Sequence, residues 1–139
     1  MENLYNVKNI INLCTSLQNL CEGFDEDSKS ILISTKFKVL LAINEKSTLS
    51  PSELIYKLGL AKSNIALLAK SMIKEGLIES KKDTLDSRIV LYSLTNKGKE
   101  ELENSLNVMS KNFTNQLAYK NKFKEIDKLV KELNTIINY

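Results

Sequence analysis

Apolar residues recur near the N-terminus at Leu4, Val7, Ile10, Ile11, Cys14, Leu17, Leu20, Cys21 and Phe24. Steps of three and four place them on one side of a 3.6-residue repeat, so the pattern predicts an amphipathic helix. Gly23 and the acidic run Asp25-Glu26-Asp27 end it. Ser34 or Thr35 caps a second helix, whose apolar positions are Phe37, Leu40, Leu41 and Ile43, with Val39 partly covered. Asn44 to Thr48 connects, and Thr48-Leu49-Ser50 suits a very short strand.

The sharpest local signal is Ser50-Pro51-Ser52-Glu53. A serine N-cap, proline at the first helical position and glutamate three residues after the cap make a capping box. The helix it starts buries Leu54, Ile55 and Leu58 and stops at Gly59. Another helix runs from Ala61 to Glu75 and ends at Gly76, with Ile65, Leu68, Ala69, Met72 and Ile73 inward. Two short helices joined by a few residues with glycine at the corner outline a helix-turn-helix.

Leu77 to Lys81 and Ile89 to Leu94 read as strands of a hairpin around the polar loop Lys82 to Ser87. Thr95 then caps a long helix with a stripe at Leu102, Leu106, Met109, Phe113 and Leu117. After a polar break at residues 119–122, a last helix carries Phe123, Ile126, Leu129, Val130, Leu133, Ile136 and Ile137. The predicted class is mainly α with a small β-hairpin wing: a winged helix-turn-helix with helical extensions at both ends. The boundaries fall at 1–33 (N-terminal helix and linker), 34–98 (winged helix-turn-helix) and 99–139 (C-terminal helices).

Composition agrees with that class. A chain of 139 residues with 42% hydrophobic residues fits one domain with extensions, and one Pro and four Gly favour long helices over a many-turned β fold. No apolar run is long enough to span a bilayer, and no secretion signal opens the chain, so a cytoplasmic protein without membrane contact is expected. Two cysteines then read as reduced thiols. The chain has no His, which removes the commonest general base and metal ligand. Two cysteines alone cannot make a structural zinc site, and no glycine-rich phosphate loop occurs. No catalytic residue, metal or cofactor is therefore assigned, and an enzyme is not expected.

The net charge of +3 conceals an uneven distribution. Residues 1–33 hold two Lys against five acids, residues 34–99 hold twelve Lys or Arg against six acids, and residues 100–139 hold six of each. A basic middle segment attracts a polyanion by releasing its condensed counterions. A lysine-rich solvated surface is the plainer alternative.

Several stretches of residues 49–99 resemble the multiple antibiotic resistance regulator (MarR) family. Leu49 to Leu54 is similar to the start of that family's first helix-turn-helix helix. Leu58-Gly59-Leu60 with Lys62-Ser63 resembles its turn, and Gly76-Leu77-Ile78-Glu79 its step into the wing. Asp86-Ser87-Arg88 followed by Leu94-Thr95-Asn96-Lys97-Gly98 matches the wing and its exit, and these two at the right separation are the specific signal. The resemblance implies a cytoplasmic homodimer in which the terminal helices of two subunits interlock. It also implies a repressor of transcription bound to double-stranded DNA and released by a ligand, in many members a small aromatic acid. The alternative is a winged-helix module that binds protein and has lost sequence-specific DNA reading.

With Ile65, Leu68 and Met72 inward, Ser63, Leu67, Lys70 and Lys74 face outward with Asn64 and Ser71 on the flank. A B-DNA major groove admits one α-helix, where Asn suits adenine, Lys suits phosphate or guanine, and Leu67 meets a thymine methyl or a partner. Ser50 and Lys62 join this DNA-binding set. The helix departs from the family pattern at Ala61, Ala66 and Leu67, where a capping residue, Ser and Arg are usual, so it offers few hydrogen-bond donors. Arg88 is the only Arg in the chain. Its planar cation suits the narrow minor groove of A·T-rich DNA, with Asp86 bracing it and Lys81 and Lys82 on the phosphates. The alternative for that pair is a surface ion pair. Cys14 and Cys21 share the apolar face of the first helix. Some family members sense oxidants through a cysteine there, which makes Cys14 the redox candidate, against the plainer reading of two core thiols.

Overall fold

The computed structural model describes residues 2–115 and 123–137. Helix α1 spans Glu2–Glu22. The acidic run that stops it also starts another helix. The Asp25 carboxylate accepts the Ser28 N–H at 2.8 Å and N-caps α2, Glu26–Ile33, where a linker was expected. Asp25 is the favoured capping residue type, and Glu26 and Asp27 suit the positive end of the helix dipole. Ser34 then closes α2 through its N–H to Ile31 and opens α3, Thr35–Lys46, by accepting the Phe37 N–H at 3.3 Å. One residue thus serves two helices and sets a sharp corner between them.

Helix α3 is the centre of the molecule. It buries Phe37, Val39, Leu40, Ala42 and Ile43, and α2, α4, α6 and the wing all pack against it. Val39, expected to be partly covered, is fully buried because α3 is enclosed on more than one side. Beyond Ser47, Leu49 forms an isolated bridge to Tyr92 with N–H to carbonyl distances of 3.1 and 2.8 Å, as the short-strand reading required.

Helix α4, Pro51–Leu58, has the full capping box: the Ser50 hydroxyl accepts the Glu53 N–H at 3.2 Å, and the Ser50 N–H donates to Glu53 at 2.8 Å. It ends at Gly59, whose φ of 64° suits only a residue without Cβ strain. Helix α5, Lys62–Lys74, ends in a Schellman motif, with Gly76 N–H on Ile73 and Leu77 N–H on Met72. Strands β1, Ile78–Lys82, and β2, Val90–Leu94, pair antiparallel in the register Ile78↔Leu94 to Lys82↔Val90. They begin one residue later than the sequence suggested. The buried side chains of Leu40, Ile43, Leu54, Ile65, Met72, Leu77 and Ile78 form the core shared by α3, α4, α5 and the wing.

Helix α6, Asn96–Asn115, leaves the wing through a tight junction. The Thr95 hydroxyl accepts the Gly98 N–H at 3.0 Å and donates to the carbonyls of Gly76 and Leu77, while the Thr95 N–H also reaches Leu77. Leu102 and Met109 of α6 are buried, but Leu106 between them is 41% exposed. The Asn112 side chain bonds Ser28 and accepts the Asp25 N–H at 3.2 Å, tying α6 to the start of α2. These contacts hold the Asp25 carboxyl below its usual range, chiefly through Ser28 and also through Asn112.

Helix α7 spans Phe123–Ile137. Leu117 and the polar break at 119–122 lie outside the described residues, as does the side chain of Phe113. In this single subunit the apolar stripes of α1 and α7 are largely uncovered. Leu4, Val7, Ile10, Ile11, Leu13 and Leu17 are exposed, as are Leu129, Val130, Ile136 and Ile137. Only Leu20 and Cys21 of α1 pack against the core, while Cys14 is exposed and both thiols are free. No described helix is long and apolar enough to cross a membrane.

Candidate nucleic-acid interface

Helix α5 divides cleanly along its length. Ile65, Ala69 and Met72 are buried and Leu68 half-buried, while Lys62, Ser63, Asn64, Ala66, Leu67, Lys70, Ser71 and Lys74 face solvent. Ile73 departs from its expected inward position and is 41% exposed. It lies about 80° round the helix from Ile65, at the edge of the covered stripe. At the other end, Ala61 occupies the N-cap position with no side-chain hydrogen bond, so no side chain caps the first backbone N–H groups of α5.

Charge pairing separates these lysines from several others on the surface. Lys36, Lys57, Lys29 and Lys131 each meet a carboxylate. Among the described residues, no ion pair forms at Lys62, Lys70, Lys74 or Lys82. The charge count in the sequence showed a basic segment, but only the fold shows which cations in it are left without counter-charges.

The base of α5 is anchored by Glu75. Its carboxylate takes Lys36 at 3.0 Å and the Ser71 hydroxyl at 3.2 Å, and its carbonyl takes Lys97 at 2.7 Å. Lys36 also reaches Glu101 at 3.2 Å. The Lys36 ammonium holds the Glu75 carboxyl below its ordinary range, and Glu75 in turn raises Lys36. The network locks α5 to α3 and α6, and it turns the Ser71 hydroxyl toward Glu75. Ser50 is similarly engaged within its capping box.

In the wing loop Asp86 and Arg88 form a two-point pair, Nε to Oδ1 and Nη2 to Oδ2, both at 3.0 Å. The Arg88 N–H also donates to Asp86 at 3.0 Å. These bonds lower the Asp86 pKa, the guanidinium first and the backbone second, and raise that of Arg88. The pair fixes the guanidinium in place while 89% of the side chain stays open to solvent. Lys81 lies 3.7 Å from Glu79, and Lys82 is exposed. The sequence reading missed Leu85, which is 95% exposed on a turn where its N–H bonds Asp83 at 3.1 Å. Its signal was a lone apolar residue in a polar loop.

No group of acidic, Cys or His side chains among the described residues could hold a metal ion. An open surface cleft of about 600 Å³ lies over α4, lined by residues that include Lys46, Leu49, Tyr56 and Lys57.

Residues 32–90 match the model of the MarR family. The transcriptional regulator AdcR of Streptococcus pneumoniae is 35% identical over 68 residues, 49% of this chain and 46% of that protein. The matched stretch therefore spans about half the length of that relative. Among solved structures, the transcriptional regulator BldR of Sulfolobus solfataricus has a TM-score of 0.66 at 22% identity and covers 99% of both chains. A mutant MarR of E. coli complexed with operator DNA has a TM-score of 0.59 at 20% identity, over 97% of this chain and 96% of the other. At such identities the structures establish the fold, a winged helix with long terminal helices. Residues 32–90 are thus similar to the MarR family, and the chain around them has the winged-helix fold of these solved regulators.

Proposed function

We propose that this protein is a homodimeric transcriptional regulator that binds double-stranded DNA, acts as a ligand-released repressor in the cytoplasm, and works by binding rather than catalysis. The observation that carries the reading is the set of unpaired lysines, Lys62, Lys70 and Lys74, on the outward face of α5, with Asn64 beside them and a braced, exposed Arg88 on the adjoining wing. Lys29, Lys36, Lys57 and Lys131 elsewhere on the fold meet carboxylates, whereas no ion pair forms at these three lysines among the described residues, which leaves this face open to a polyanion. In this reading α5 occupies the major groove, and Arg88 enters the neighbouring minor groove at A·T-rich sequence. A mutant MarR of E. coli that shares the fold was solved with operator DNA, which supports DNA as the partner.

The uncovered stripes of α1 and α7 support the dimer. A helix bearing such a stripe must bury it to be stable. Two-fold pairing through these helices presents two copies of α5 to half-sites about one helical turn apart.

Salt dependence tests the DNA reading. Four free lysines per subunit (Lys62, Lys70, Lys74 and Lys82) give a dimer about eight phosphate contacts and a log–log slope near −7. Affinity then falls about ten-thousandfold between about 50 and 200 mM salt. Replacing Lys62, Lys70 and Lys74 together with Ala should flatten the slope by about five. A shallow slope in the parent protein favours the alternative reading, in which Leu67 docks on a protein.

A further inference from the structure

Leu67 is 70% exposed at the middle of α5, with the exposed Ser63, Asn64, Lys70, Ser71 and Lys74 on the same side of the helix. The core does not use it. Asn64, one helical turn earlier, shares its face, and the two line one shallow depression with Thr35, Leu60 and Leu68. The depression is thus apolar at its floor, with a hydrogen-bonding amide at one side, and the unpaired Lys70 and Lys74 stand on the same exposed face of α5.

The cations select the occupant. An apolar patch meant for another protein gains from a neutral centre, whereas this one sits among unpaired positive charges that attract phosphates. In the major groove of B-DNA the apolar feature offered by a base pair is the 5-methyl group of thymine. An asparagine amide matches the adjacent feature, the N6 and N7 edge of adenine. Residues three apart on a helix lie about 5 Å from one another, which spans neighbouring base pairs.

We propose that Leu67 is a specificity-determining residue that packs on the 5-methyl group of one thymine in each half-site, with Asn64 on an adjacent adenine. This rests on the DNA-binding reading and deepens it. The face reads thymine through its methyl group, a contact that tolerates the scarcity of hydrogen-bond donors on α5.

The test uses the full-length protein and a duplex it selects from a random-sequence pool. Each thymine is replaced in turn by deoxyuridine, which removes the 5-methyl group and leaves base pairing and the minor groove unchanged. Burial of one methyl predicts a loss of about fourfold for one critical thymine per half-site, and about fifteenfold when both half-sites are replaced. Leu67→Ala should bind the thymine and uracil duplexes equally while keeping the parent salt slope. Leu67→Met should retain the discrimination. Leu67 is exposed, so neither variant threatens folding, and an unchanged thermal midpoint checks this. Steep salt-dependent binding with no sensitive thymine, or discrimination that survives Leu67→Ala, would overturn the inference and leave the DNA reading intact. Absence of salt-dependent duplex binding by the parent would overturn both.

Discussion

Gly98 provides a sharp test of how the wing is held on α6. On helix propensity alone, Gly98→Ala inside α6 should stabilise the protein by about 1 kcal/mol. The structure predicts the opposite sign. A Cβ at Gly98 would lie 2.0 Å from the Leu77 carbonyl oxygen and 3.0 Å from its carbon. Both are backbone atoms and cannot swing aside, so α6 and the start of β1 must separate by at least about 1 Å. That movement disturbs the Thr95 bonds to Leu77 at 3.0 and 3.1 Å and the Thr95 cap on the Gly98 N–H at 3.0 Å. A lost cap costs about 1 kcal/mol, and each disturbed hydrogen bond about 1 kcal/mol more. Set against the propensity gain, the net expectation is destabilisation by about 2–3 kcal/mol. For a chain of this size that lowers Tm by about 10 °C. Gly59→Ala is the control. Unlike Gly98 it has a positive φ, 64°, and a Cβ there has nothing within 4 Å, so only backbone strain of about 1–2 kcal/mol remains. Thermal and urea unfolding, followed by circular dichroism at one fixed protomer concentration, measure both. An unchanged or raised Tm in Gly98→Ala would refute the close approach on which the wing's placement depends.

Three further outcomes are expected. Arg88→Ala should weaken binding most on duplexes with A·T-rich flanks, and Asp86→Ala should do so less; an equal loss on all duplexes would contradict minor-groove reading. A chain ending at residue 119, which lacks α7, should be monomeric or aggregate in light scattering after gel filtration; a soluble dimer would remove α7 from the proposed interface. Asp25 has a folded pKa below its unfolded one. Its contribution to stability is therefore complete above about pH 4 and is lost as pH falls through the folded value. Asp25→Ala should accordingly show a smaller drop in Tm between about pH 5 and pH 2 than the parent, and parallel curves would count against the α2 cap.

Local signals in this chain were reliable wherever a residue type solves a backbone problem by itself. Ser50, Pro51 and Glu53 announced α4 because a capping box is made within four residues. Gly59 and Gly76 marked the helix ends they occupy, and Thr95 marked the start of α6. Asp86 and Arg88, two residues apart, were expected to pair and do so at 3.0 Å. The same logic was available at Asp25, but the acidic run was read as a stop, and α2 was missed because one residue type serves both as terminator and as cap.

What depended on distant parts of the chain was not legible. The burial of Val39 follows from helices and a wing closing around α3, whereas periodicity assumes one covered face. Ile73 and Leu106 fit their stripes by spacing and yet are substantially exposed, because the covering surface ends before it reaches them. The bridge from Asn112 to Ser28 and the Lys36–Glu75–Glu101 network join residues tens of positions apart.

The sequence by itself therefore determined the elements, their caps, the winged order and the basic character of the middle segment, since each arises from contacts within a few residues or from composition. The tertiary structure alone decided which cations lack a counter-charge, that Ile73 and Leu106 stand partly in the open, and which glycine has no room for a methyl group. These are relations between surfaces brought together by folding, and no local pattern encodes them.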